Sequence, residues 1–229
     1  MKRNQSGFTL IEIAIVLVII GLLLGGVLKG QELINSAKVK NLANDFKNVP
    51  LYIYGYQDKF KALPGDDTQA LTHLGATPTA VATTPATTLG NGIIDGFWDS
   101  NTHTDESVVF WQHIRLANLA AGSTTVPTAT ITSDQDAYLP QNAVGGRIGI
   151  EGGNPIPPIA NLKGSFTICS KNILGKFAKQ LDTTLDDGNG STGSVMVTAN
   201  ANSGGTRATS PAAVAAPVDE TLYTVCMGV

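Results

Sequence analysis

From Ile13 to Leu28 the chain carries no charged residue and no proline. An apolar run of about 20 residues is what a helix needs to cross a hydrocarbon core of about 30 Å. In lipid every backbone N–H and C=O must be paired internally, so such a run has to be helical. Lys2 and Arg3 precede it and are expected to stay on the cytoplasmic side. A secretory signal would be cut beside small residues after the run, and Gly25-Gly26 fits that description; a plain membrane anchor fits the run as well. Neither accounts for Glu12, the one ionised side chain in the stretch from Phe8 to Leu28. A charge at mid-membrane costs about 2.5–3.5 kcal/mol on insertion scales, so it calls for a function and a partner.

The helical pattern continues past the apolar run. Val39, Leu42, Phe46, Val49, Ile53, Tyr56, Phe60 and Leu63 follow one another at steps of three and four, which is one stripe of an amphipathic helix. Lys38, Lys40, Asp45 and Lys47 fall largely off it. The spacing predicts a single helix over about 8–62, roughly 80 Å long at 1.5 Å per residue. Its first half, 8–28, is apolar all round and suits lipid. Its second half, 29–63, is apolar on one side and suits packing against a globular domain. Pro50 is expected to kink it, and Leu63-Pro64-Gly65 to end it.

Residues 64–229 hold no second run of that kind. The stretches 77–88, 123–132 and 201–217 are rich in small polar residues and read as exposed loops. A helix is expected over 106–121, capped by Thr104 and stopped at Gly122, and a shorter one over 172–181. Residues 165–169, 194–199 and 222–226 read as strands, and Gly145-Gly146 and Gly152-Gly153 as turns. The fold class is therefore α+β: a long amino-terminal helix packed through its second half on a carboxy-terminal antiparallel sheet. Cys169 and Cys226 fall in two of the strands. In an oxidising compartment outside the inner membrane they are expected to pair; two free buried thiols are the alternative.

Gly7-Phe8-Thr9-Leu10-Ile11-Glu12, after a short basic leader and before an apolar helix, resembles the cleavage and methylation motif of type IV pilins and type II secretion pseudopilins. The resemblance implies that residues 1–7 are a leader, that a prepilin peptidase cuts between Gly7 and Phe8, and that the Phe8 amine is N-methylated while the helix is retained. It also implies a partner for Glu12: the terminal amine of an adjacent subunit in a growing filament. Pairing two opposite charges offsets the desolvation each suffers alone. The Cys169–Cys226 pair resembles the carboxy-terminal disulfide of the same family.

No catalytic pattern is present, so an enzyme is not expected. His73, His103 and His113 are scattered and there is no nucleophile elbow, phosphate loop or dinucleotide fingerprint. A net charge of −3 gives no field for nucleic acid. No cofactor is expected beyond a calcium ion. Asn91, Asp95 and Asp99, with Asp66 or Asp67, have the acidic, glycine-rich character of a calcium loop, although Asp-Gly and Asn-Gly are also ordinary turn formers. Neither this segment nor Asp186-Asp187-Gly188-Asn189 has EF-hand spacing. The expectation is a structural subunit, single-pass in a bacterial inner membrane and then part of a periplasmic or surface filament. Its partners would be copies of itself, related pilins, the peptidase-methylase and inner-membrane assembly machinery. A secretion pseudopilin or a minor tip pilin is the near alternative. A membrane-anchored binding protein that never polymerises is the alternative of another class.

Overall fold

The computed structural model describes residues 9–75, 79–84, 88–153, 155–200 and 207–229. Helix α1 runs from Leu10 to Phe60, close to the expected span. It passes through Pro50 without interruption. Proline removes one intrahelical hydrogen bond. Phe46, Val49 and Ile53 on either side are all buried, and burial of that face holds the helix together where propensity alone would not.

The chain divides into two compact units, Met1–Lys38 and Val39–Val229. In the first, no described residue is buried. In the second, the stripe expected from the sequence lies inside: Val39, Leu42, Phe46, Val49, Ile53, Tyr56 and Leu63 are buried, and Phe60 is half-buried. The stripe shares one core with Ile148, Ile150, Ile168, Val195, Val197 and Val225 of the sheet.

That sheet has four antiparallel strands in the order β1-β2-β4-β3. They are β1 (Ile148–Gly152), β2 (Phe166–Leu174), β3 (Val195–Ala199) and β4 (Leu222–Gly228). Opposed residues point to the same face. Ile150↔Ile168 and Val197↔Val225 therefore face the α1 core. Cys169, Cys226 and Met196 face the other side, where Trp98, Ile159 and Leu162 cover them in a second cluster. Cys169 and Cys226 stand directly opposite each other on β2 and β4 and form the disulfide.

The structure revises several expectations. Strand β1 occupies Ile148–Gly152, so Gly152, expected in a turn, is a strand residue. Gly149 has no side chain for a reason: a Cβ there would lie 2.0 Å from the Trp98 carbonyl oxygen. Residues Asn172–Leu174, expected to open a helix, continue β2; the helix, α4, runs from Gly175 to Leu185. The register of β2 shifts between Ser170 and Ile173, and Asn172 takes φ 59°. This bulge returns Ile173 to the core face. A short helix α2, Ala70–Leu74, was not expected.

Helix α3 covers Glu106–Leu116 and its N-cap is Asp105, not Thr104. It stops well before Gly122 because Asn118 enters the left-handed region at φ 62°. The Leu119 N–H then reaches the Ile114 carbonyl at 2.9 Å and the Asn118 N–H the Arg115 carbonyl at 3.1 Å, a Schellman ending. The stretch 123–132 contains no helix or strand, as expected, but Ile131 within it is buried. Parts of the loops expected at 77–88 and 201–217 lie outside the described residues.

Candidate functional site

Gly7 and Phe8 lie outside the described residues, of which Thr9 is the first. Thr9 precedes the first turn of α1, and Glu12 is the third residue of the helix. The Thr9 N–H and hydroxyl both donate to Glu12 Oε2, at 2.8 and 2.7 Å, and the Glu12 N–H donates to Thr9 Oγ1 at 3.3 Å. This is a capping box, in which N-cap and N3 side chains satisfy each other's orphan backbone donors. The T-x-x-E spacing is itself a capping-box signature, carried by the same residues as the processing motif.

After this cap the helix shows an apolar surface on every side. Leu10 is 93% exposed, and Leu17, Leu22, Leu24 and Leu28 are exposed as well. The segment is long and apolar enough to cross a membrane. It fits a transmembrane anchor. Lys29 and Glu32, one turn apart and 2.7 Å from each other, are the first charged residues after the run.

In the second unit the sequence-predicted residues separate into different networks. Asn91 donates to Asp95 Oδ2 at 2.9 Å, so these two are brought together. Asp99 is buried elsewhere, in the electrostatic field of Arg147 and Glu151. Asp66 accepts the N–H groups of Gly90 at 2.5 Å and Gly92 at 2.7 Å. Asp67 accepts the Tyr56 hydroxyl at 2.7 Å and lies 2.7 Å from His73 Nδ1, which ties the segment after α1 back onto the helix.

Several buried polar groups carry no sequence signal, because their partners are far away in the chain. Glu106 is fully buried, with Oε2 accepting the Asp95 N–H at 2.8 Å. Burial raises its carboxyl to about 8, and the nearby Asp66 and Asp95 charges add to the shift. His113 is buried; its Nδ1 accepts the Gly65 N–H at 3.0 Å, so its Nε2 holds the proton and donates to the Ala80 carbonyl at 2.8 Å. Burial also lowers its pKa, which keeps it neutral. Glu151 on β1 joins Arg207 at 2.6 Å and accepts the Trp98 N–H at 2.9 Å. Lys171 on β2 meets Asp134 at 2.6 Å.

At the end of α4, one oxygen each from Asp182, Asp186 and Asp187 lies within 4.8 Å of the others. The described residues therefore hold two unlike arrangements: a capped, uncovered apolar helix and a folded unit with buried charge networks.

Residues 2–28 match the family model described as the prokaryotic N-terminal methylation motif, the signature of type IV pilins and pseudopilins. No curated protein and no solved structure matches the chain.

Proposed function

We propose that the chain is a filament subunit of the type IV pilin or pseudopilin kind, structural rather than catalytic. The observation that carries this reading is the methylation motif at residues 2–28 joined to a helix whose apolar side chains have no cover of their own. Prepilin peptidase removes residues 1–7 on the cytoplasmic face, and the Phe8 amine is methylated. The apolar part of α1 first lies in the inner membrane. On assembly it exchanges lipid for the same part of neighbouring copies, and the Val39–Val229 unit is displayed outside.

Glu12 has two roles in this scheme. Its Oε2 already serves the Thr9 cap. The other oxygen meets the cationic Phe8 amine of an adjacent subunit, which offsets the desolvation of both charges and favours one axial register. Mass spectrometry of the mature protein tests the processing: a methylated Phe8 at the terminus is expected, and an intact Met1 would overturn the reading. Electron microscopy of sheared cells tests the assembly. Surface filaments containing the chain mark a pilus, and short periplasmic assemblies mark a secretion pseudopilus. A processed chain that never associates with copies of itself would leave only a membrane anchor.

A further inference from the structure

The sequence holds two Asn-Gly pairs, Asn91-Gly92 and Asn189-Gly190. Both asparagines are exposed. An asparagine carboxamide can be attacked by the main-chain nitrogen of the next residue, because a five-membered ring closes and the nucleophile is held beside its target. Glycine in the second position puts no side chain in the way. The fold treats the two pairs in opposite ways.

In the loop at 90–96 the groups that the attack needs are committed. The Gly92 N–H donates to Asp66 Oδ2 at 2.7 Å, a charge-assisted bond. Asn91 Nδ2 donates to Asp95 Oδ2 at 2.9 Å, and Asn91 Oδ1 accepts the Ile93 N–H at 2.8 Å. Ring closure would break the first two of these bonds.

The acidic turn after α4 leaves the same groups open. Among the described residues no hydrogen bond engages Asn189 Nδ2 or the Gly190 N–H. Asn189 Oδ1 instead accepts the Ser191 N–H at 3.2 Å and the Ser191 hydroxyl at 2.9 Å. The pair is anchored on both sides: the Asn189 N–H donates to Asp187 Oδ1 at 2.8 Å, and the Gly190 carbonyl accepts the Val197 N–H at 2.8 Å. Only glycine fits at 190, since a Cβ there would lie 2.6 Å from the Val214 carbonyl oxygen.

We propose that Asn189 is a site of intramolecular deamidation and that the fold protects Asn91 from the same reaction. The Gly190 nitrogen forms a bond to Asn189 Cγ. The Cγ–Nδ2 bond breaks, and ammonia leaves with the proton that the Gly190 amide gives up. Water then opens the cyclic imide to aspartate or to its isopeptide isomer. The two Ser191 donors sit on the oxygen where negative charge develops during the attack. The product places a further carboxylate in a turn that already holds Asp182, Asp186 and Asp187. The isomer also lengthens the main chain between the Asp187 and Val197 anchors. Either change loosens the connection from α4 to β3.

The test incubates the full chain in one mildly alkaline buffer, folded in detergent micelles and, separately, reduced and denatured. Peptide mapping by mass spectrometry reads the two pairs. In the denatured chain they are expected to convert at similar rates. In the folded chain Asn189 is expected to convert at least about tenfold faster than Asn91. Asn189→Gln should abolish conversion at that position, because a larger ring must close. Ser191→Ala should slow it several-fold in the folded chain alone. Equal rates at the two pairs in the folded chain, faster conversion at Asn91, or a fold that suppresses both pairs alike would each overturn the proposal.

Discussion

The same helix belongs to two different physical regimes. Before Val39 its leucines, isoleucines and valines are exposed, and the Glu12 carboxylate is engaged with the adjacent Thr9 cap. From Val39 onward its apolar stripe is buried, and the charges of the surrounding unit find partners tens of residues away. The contrast shows that helix formation and tertiary folding are separable here. The second unit carries its own core. The first has hydrogen-bonded backbone but no apolar environment within its own unit, so its stability is a property of what surrounds it.

The sharpest way to break this contrast is to remove the first unit. A chain starting at Val39 is expected to lose membrane association completely in fractionation, yet to keep its disulfide and a cooperative melting transition. Loss of the transition would show that the second unit depends on the first. Next in size are core truncations. Phe46→Ala should cost about 3–5 kcal/mol in denaturant unfolding, whereas Leu17→Ala should leave that transition unmoved. Replacing both Cys169 and Cys226 by serine should cost about 2–5 kcal/mol, because the bond closes a loop of 57 residues.

A smaller effect concerns pH. The Glu106 carboxyl is raised from an ordinary 4.5 to about 8, so the folded state holds a proton that the unfolded chain releases. Its contribution is complete below pH 4.5 and is lost as pH rises through 8. Glu106→Gln should therefore flatten the decline of Tm across that window; an unchanged slope would point to other groups. Smallest is Thr9→Ala, which removes the cap and should cost about 1 kcal/mol of first-turn helicity, read by amide exchange in micelles, with no change in the melting of the second unit.

The parts of this arrangement that obey a period were legible in the sequence. The charge-free run and the three-four spacing from Val39 to Leu63 gave the helix and its buried face. Three and four residues are the helical repeat whatever the partner is. Strand β1 was not legible because its apolar residues are interleaved with Gly149 and Glu151. A buried glutamate becomes intelligible only once Arg207, 56 residues away, is seen beside it. The early end of α3 turned on one asparagine adopting a left-handed conformation, and the bulge at Asn172 disguised the second half of β2. The acidic turn looked like an ordinary reverse turn, since nothing in its spacing indicates that Asp182 is buried.

The Cys169–Cys226 bond ties the two middle strands of the sheet to each other, with helix α4, the acidic turn, β3 and the small-residue stretch 201–217 all contained in the chain between them. A protease that clips any peptide bond in that interval produces no loose fragment. The two pieces stay covalently joined, and the nick shows itself only after a reducing agent is added. Across the whole interval between the two cysteines, a single cut therefore releases nothing until the disulfide is reduced.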